Sequence, residues 1–219
     1  MIFSEYKKLD GASISDALDS LNVRNRIPNL LPRSNNTKMV GYAYTVEYSL
    51  YETPSNSFKN AGNYIDNVKE NEIILLNNNG LDYCTTWGGI LTKMAEIKNI
   101  SGVAIYGAIR DIEEVEKSNI PIFSAHTFMC SAKNRAQLIT TETTLTINDV
   151  VINPGDLIFG DKNGVLVVPK DLIDICLSRA INIKKTEEKI ITEITNGMSL
   201  EKARKKHNYA KPWENTDAI

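Results

Sequence analysis

Apolar positions recur along this chain with two periods, and the switches between them predict the order of its elements. In residues 13–21, Ile14, Ala17, Leu18 and Leu21 fall on one helical face, with Ser13 as the expected N-cap. Residues 39–50 read as a long strand and 57–70 as a helix. Glu72-Ile-Ile-Leu-Leu-Asn77 is an apolar run of strand length that Asn78-Asn-Gly80 closes as a turn. Trp87-Gly88-Gly89 then opens a helix in which Ile90, Leu91, Met94 and Ile97 share one face. Gly102 to Tyr106 is the next buried strand, with Gly107 expected to turn the backbone. Ile112-Glu-Glu-Val-Glu-Lys117 has helical spacing, so Arg110 and Asp111 stand at a strand-to-helix corner. Ile120-Pro-Ile-Phe-Ser124 is the third strand of this run, and connections of this length predict parallel pairing through right-handed crossovers.

Beyond this run the pattern shortens. Segments 137–141, 144–147, 150–153, 157–160 and 165–168 read as brief strands, with turns at Asn148-Asp149, Pro154-Gly155 and Asn163-Gly164. Residues 171–195 read as mostly helical, Gly197 as a stop and Ser199 as the cap of a last short helix. No linker, internal repeat or low-complexity tract interrupts the 219 residues. The expectation is a single α/β domain over 1–219, ending in helices at about 171–207.

Composition narrows the function classes. A formal charge of −2 and a pI of about 5.8 leave no basic stripe to neutralise phosphates, so no nucleic-acid partner is expected. Lys202-Ala-Arg-Lys-Lys206 is the nearest candidate and reads as a solvated helix face. No apolar run is long enough to span a membrane and no leader-like segment opens the sequence; a cytoplasmic protein is expected, with no membrane partner. Cys84, Cys130 and Cys176 lack Cys-x-x-Cys spacing, which predicts neither disulfides nor a zinc site. Cys130 lies four residues from His126, a separation that does not by itself make a nucleophile dyad.

Two corners carry the candidate chemistry. At Gly88 and Gly89 no side chain screens the unpaired amides of the first helical turn, which can receive a small anion. At the other corner, Arg110 offers a planar donor fork and Asp111 a hard oxygen ligand, and such corners at the carboxyl ends of strands are where ligands bind in α/β sheets. Spacing alone leaves a plainer reading open, in which Asp111 only caps its helix, Arg110 is solvated and the glycines serve a tight turn.

Trp87-Gly-Gly-Ile-Leu91 followed by Gly102-Val-Ala-Ile-Tyr-Gly-Ala-Ile-Arg-Asp111 resembles the central signature of the RraA-like family. Ser13-Ile-Ser-Asp16-Ala-Leu18, Val40-Gly-Tyr-Ala-Tyr-Thr-Val46, Pro121-Ile-Phe-Ser124, Pro154-Gly-Asp156-Leu-Ile-Phe-Gly-Asp161 and Gly164-Val-Leu-Val-Val-Pro169 follow in the family's order. The family includes 4-hydroxy-4-methyl-2-oxoglutarate aldolases, related oxaloacetate decarboxylases and ribonuclease E regulators. The resemblance implies an αββα sandwich with a swivelling β/β/α-type core, assembled as a homotrimer or hexamer. It also implies a C-terminal helix that extends to a neighbouring subunit, with Glu187 reaching the neighbour's site and Glu188 as the fallback if the register slips by one. The charged run 184–189 reads equally as an ordinary solvated helix face.

The function so implied is a class II lyase acting on a 2-oxo acid. It would cleave a 4-hydroxy-2-oxo acid to pyruvate, decarboxylate oxaloacetate, or both, through an enolate stabilised by Mg²⁺ or Mn²⁺. Asp111 would hold the metal, Arg110 and the segment Gly88, Gly89, Ile90 and Leu91 the substrate, and Arg110, Asp111 and Glu187 would form the catalytic set. Three positions depart from the family pattern: Gly89, where an acidic residue is frequent; Tyr106, where Asp or Asn is frequent; and His126, where a small residue is common. Three further readings are a non-catalytic regulator of the ribonuclease E type, a family lyase for another carbonyl substrate, and a Schiff-base aldolase using Lys93. The family's old label of menaquinone methyltransferase finds no nucleotide-binding glycine loop here.

Overall fold

The computed structural model describes residues 2–51 and 62–215. Its elements begin with α1 (Ile2–Lys7), α2 (Gly11–Ser20), β1 (Arg26–Ile27), β2 (Leu31–Pro32), β3 (Met39–Leu50), a 3-10 turn (Asn63–Asn67) and β4 (Glu72–Asn77). Next come β5 (Thr85–Trp87), α3 (Gly89–Ile97), β6 (Gly102–Ile109), α4 (Ile112–Lys117), β7 (Ile122–Thr127) and β8 (Ala136–Thr141). The chain closes through β9 (Leu145–Ile147), β10 (Val150–Ile152), β11 (Leu157–Asp161), β12 (Gly164–Val168), α5 (Ile173–Thr195) and α6 (Leu200–Lys206). These elements fall into two compact units, one of residues 25–170 and one made from the segments before Asn25 and after Lys170.

The larger unit is a mixed sheet of ten strands in the order β1-β12-β11-β3-β4-β6-β7-β2, with β5 added to β6 and β8 to β3. β3, β4, β6 and β7 are mutually parallel, as the connection lengths predict, while β11 and β12 extend the sheet antiparallel. Register sets Glu47 against Asn77 and Asn77 against Tyr106, so the carboxyl ends of the central strands share one edge. Alternate side chains enter different cores. Ile74, Leu76, Val103 and Ile105 pack with Trp87, Ala95 and Val115, beneath α3 and α4. Ile73, Leu75 and Ala104 pack with Leu145, Ile147, Val150 and Ile152 of the β9–β10 hairpin. A sheet buried on both faces needs apolar residues at successive positions, which is why β4 and β6 read as continuous rather than alternating runs. Truncating a fully buried member such as Leu76 to alanine is expected to cost about 2–5 kcal/mol.

Several boundaries differ from those the pattern predicts. α2 starts at Gly11 and its N-cap is Asp10, whose carboxylate accepts from the Ser13 amide at 2.9 Å; Ser13 is an interior residue, and Leu21 is only half-buried. Of the expected helix over 57–70, residues 57–61 lie outside the described residues. The described remainder is one 3-10 turn ended by extended Val68. Gly107 does not turn the chain: β6 runs on to Ile109, and a Cβ at 107 would stand 2.8 Å from the Cβ of buried Asn78. β7 starts at Ile122, and β5 joins the sheet as a strand the pattern did not suggest. On α3 the buried residues are Thr92 and Ala95, whereas Ile90 and Ile97 of the apolar face are 86% and 69% exposed.

In the smaller unit, α5 buries Cys176, Ala180, Ile183, Thr186 and Ile190, and α2 buries Ile14, Ala17 and Leu18. Arg179 fastens the end of α2 by donating from one guanidinium nitrogen to both Ser20 O and Ser20 Oγ at 2.8 Å. Ser199 caps α6 as expected, and the cations of that helix are exposed. All three cysteines are free. Among the described residues no helix is long and apolar enough to cross a membrane.

Candidate functional site

β6 delivers the chain to its carboxyl edge at Ile109, and Arg110 and Asp111 form the step into α4. The Arg110 amide donates to Trp87 O at 3.1 Å, which ties this step to β5. Trp87 is itself buried and donates from Nε1 to Thr92 Oγ1 at 2.9 Å, so β5 and the first turn of α3 are held together by a satisfied polar contact inside the core.

Asp111 occupies the left-handed region, with φ 58° and ψ 48°. Few residues other than glycine adopt it readily, and aspartate is among the more tolerant. In this conformation its carboxylate makes no capping bond to α4. Instead Oδ2 accepts from the amide of Gly89 at 2.8 Å, at the first turn of α3, whose own N-cap Gly88 has no side chain to offer. Arg110 Nε stands 3.5 Å from the same oxygen. One carboxylate oxygen is thus shared by the N-terminus of α3 and a guanidinium. The arrangement explains Gly88, where a Cβ would lie 2.5 Å from Asp111 Oδ2 and 3.2 Å from Arg110 Cγ. At Gly89 the nearest atoms to a Cβ are 3.6 Å away, an ordinary contact.

The side chains of Arg110 and Asp111 remain 42% and 37% exposed and line a cavity of about 730 Å³. Gly88, Ile90, Leu91, Met94 and Ile97 line it as well, so the apolar face of α3 borders an open space. Thr86 also faces it; this residue is 6% exposed and its hydroxyl has no hydrogen-bond partner.

The residues expected from the sequence separate accordingly. Gly88, Gly89, Arg110 and Asp111 come together, with Ile90 and Leu91 on the adjoining helical turn. The Gly89 amide, expected to receive a substrate carboxylate, is taken by Asp111. Glu187 lies in the smaller unit on α5, half-buried; burial raises its carboxyl pKa first, and the negative charges of Asp10 and Asp16 add to the rise. Tyr106 and His126 do not line the Arg110 cavity. Tyr106 donates to Asn148 Oδ1 at 3.1 Å, and His126 borders a separate hollow of about 470 Å³ with Arg33, Asp82 and Tyr83. Lys93 is exposed and paired with Glu96 at 3.2 Å, which is not the desolvated setting a Schiff-base lysine needs. Sequence reasoning missed Thr86, because one threonine in an unrecognised strand gives no periodic signal.

This edge of a mixed α/β sheet, with its glycine, arginine and aspartate, defines the class. The RraA-like family model, described as Aldolase/RraA, matches residues 11–167, and the chain belongs to that family. The protein DlpA of Legionella pneumophila is 43% identical over 204 residues, covering 93% of this chain; the chain spans about a third of DlpA, at 33% of its length. A protein of Halalkalibacterium halodurans named "Putative 4-hydroxy-4-methyl-2-oxoglutarate aldolase" is 29% identical over 177 residues, covering 81% of this chain and 80% of its own. Among solved structures, an uncharacterized protein from Pseudomonas syringae pv. tomato superposes with a TM-score of 0.87 at 40% identity, covering 94% of this chain and 93% of its own.

Proposed function

We propose that this chain is a lyase for 2-oxo acids, which cleaves a 4-hydroxy-2-oxo acid to pyruvate, decarboxylates oxaloacetate, or does both. The observation that carries the reading is the fixed pair Arg110 and Asp111 at the N-terminus of α3, held at a cavity wall where Gly88 leaves them room. Both reactions develop negative charge on the oxygen of the 2-oxo group, and catalysis consists of meeting that charge.

The residues present suit a single hard cation. Gly89 and Arg110 engage Oδ2 of Asp111, which leaves Oδ1 for a metal, and no group of three His, Cys, Asp or Glu exists among the described residues to form an all-protein cage. Asp111 Oδ1 would hold Mg²⁺ or Mn²⁺, hard cations for which one or two protein carboxylates suffice. Bound there, the ion supplies Lewis-acid polarisation of the oxo group. Arg110 orients the oxo-acid oxygens through its planar fork. The amides of Ile90 and Leu91, in the first turn of α3, receive the substrate carboxylate with the favourable end of the helix dipole. In the retro-aldol the C4 hydroxyl loses its proton as the C3–C4 bond breaks and the pyruvate enolate regains one at C3, with water beside Arg110 as the carrier of both.

The working assembly in this reading is a trimer or hexamer in which Glu187 completes the site of a neighbour, since a heterologous contact that closes as a ring gives every subunit one donor and one acceptor edge. Mixing inactive Asp111→Ala with inactive Glu187→Ala subunits then restores activity at about a quarter of interfaces. No recovery after proven subunit exchange would confine Glu187 to its own chain. The function itself is tested by pyruvate release from a panel of 4-hydroxy-2-oxo acids and oxaloacetate, with and without Mg²⁺ or Mn²⁺. Metal-dependent release is expected, and full activity in chelator would exclude the mechanism.

A further inference from the structure

Cys84 and Cys130 lie far apart in the chain and side by side in the fold. Thr85 and Ser131 form a parallel bridge, in which the Thr85 amide donates to Cys130 O at 2.9 Å and the Ala132 amide donates to Thr85 O at 2.8 Å. Thr85 Oγ1 donates to the same Cys130 O at 3.0 Å. One residue back along each segment, Cys84 stands across from Cys130 at the spacing of neighbouring strands, about 4.8 Å. That spacing falls within the Cα separation of about 4.4–6.8 Å that a disulfide spans. Side chains alternate along extended backbone, so both thiols belong to the face opposite Thr85 and Ser131. Thr85, Ser131, Lys133 and Asn134 line the Arg110 cavity, which makes this bridge part of its wall.

The two thiols differ in surroundings. Cys84 is buried in the core that holds Trp87 and Ala132, whereas Cys130 is half-buried. Burial pushes the Cys84 thiol up, the Arg135 guanidinium pulls it back and charge on Cys130 adds to the rise, so both groups lie within electrostatic reach of the buried sulfur. Arg135 is held over the segment by donating from one guanidinium nitrogen to Ser131 O at 3.2 Å and Lys133 O at 3.4 Å. A cation beside paired thiols favours thiolate, the form that reacts. Cys176, the third cysteine, lies on α5 in the smaller unit.

We propose that Cys84 and Cys130 are a peroxide-responsive pair, which closes to a reversible disulfide and fixes the segment 130–136 against β5 at the cavity wall. Cys130, the more accessible sulfur, meets the oxidant first. Its thiolate attacks one oxygen of hydrogen peroxide, the O–O bond breaks, and Cys130 becomes a sulfenic acid. The departing hydroxide takes up the proton that Cys130 gave to solvent. The Cys84 sulfur then attacks the sulfenic sulfur; the S–S bond forms, the S–O bond breaks, and the released hydroxide leaves as water with the Cys84 proton. The two thiols lose two electrons together, and one peroxide is reduced to two waters. A small dithiol reverses the step by thiol–disulfide exchange.

The test is thiol titration, intact mass and peptide mapping of the native protein after equimolar hydrogen peroxide. Wild type and Cys176→Ala should each lose two titratable thiols and the mass of two hydrogens, with Cys84 joined to Cys130 within one chain. Dithiothreitol should restore both thiols. Cys84→Ala, which keeps the buried site apolar, should stop at a sulfenic acid on Cys130 that dimedone captures, and Cys130→Ser should give neither crosslink nor adduct. Where a variant does not fold by circular dichroism, the mapped wild-type crosslink decides. In the oxidised protein amide hydrogen exchange across 130–136 should slow by about tenfold or more, because the crosslink removes local opening of the segment. A disulfide to Cys176 or between chains, oxidation of Cys130 past the sulfenic acid while Cys84 stays free, or no loss of thiols would overturn the inference. Exchange that is unchanged after closure would overturn it too. None of these readouts needs turnover, so the result stands apart from the lyase reading.

Discussion

The N-termini of α3 and α4 solve the same problem in opposite ways. Each helix presents unpaired amides in its first turn. α4 has an aspartate in the N-cap position but receives no bond from it, while α3 has a glycine there and is capped by that same aspartate, Asp111, from 22 residues further along the chain. A cap lent to a neighbouring helix is worth about as much to α3 as a local one, about 1 kcal/mol. What it adds is position, because the carboxylate is now pinned at the cavity wall beside Arg110 instead of being folded back over its own helix. Asp111 can take this direction because it sits in the left-handed region, and such locally costly conformations persist where the surroundings fix them.

The largest change to this comparison should come from Arg110. Arg110→Lys keeps the charge and loses the fork, and a fall on the order of 10²-fold in kcat/KM is expected, the effect of removing one donor to a developing oxyanion. Steady-state kinetics within twofold of wild type would mean that Arg110 does not clamp substrate.

The adjacent glycines sharpen the contrast. Gly88→Ala places a methyl 2.5 Å from Asp111 Oδ2 and must displace that carboxylate, so a loss on the order of 10-fold or more in kcat/KM is expected while the fold is kept. Gly89→Ala meets nothing closer than 3.6 Å and replaces glycine in a helix, so activity should stay within a few-fold and stability should rise slightly. Equal losses in the two variants, measured with circular dichroism alongside kinetics, would separate the glycines from the carboxylate.

A smaller effect is expected at Glu187. Burial, with Asp10 and Asp16 adding to it, raises its carboxyl pKa in the folded protein, so between the unfolded and folded pKa values the folded state binds the extra proton. Its contribution to stability is therefore present at pH below the unfolded value and is lost as pH rises through the folded one. Glu187→Gln should raise Tm at neutral pH, with the difference from wild type shrinking on acidification below the ordinary carboxylate range. A difference that grows on acidification would contradict the sign.

Much of this was legible in the chain. The strand runs of β4 and β6, their parallel pairing, the opening of α3 at Gly88-Gly89 and the corner at Arg110 and Asp111 all follow from apolar runs and punctuation, since those features record burial and backbone geometry directly. Non-local packing was not legible. Gly107 looks like a turn but is small because Asn78 lies against it, and Ser13 looks like a cap although Asp10 performs that role. The apolar stripe of α3 predicts a core-facing surface, yet all four of its residues line a cavity and two, Ile90 and Ile97, are largely exposed, because periodicity reports that a face is apolar and not what covers it. The bond from the Gly89 amide to Asp111 joins elements whose sequence separation no spacing rule spans.

The most direct test of the account is pyruvate release by wild type and Asp111→Asn across a titration of Mg²⁺. Asparagine retains an oxygen to accept from the Gly89 amide, so α3 stays capped and the variant should fold with Tm close to wild type. The account predicts saturable, metal-dependent turnover by wild type and none by the folded variant at moderate metal. Turnover by wild type that persists undiminished in excess chelator, or an Asp111→Asn variant that runs near the wild-type rate, would contradict it.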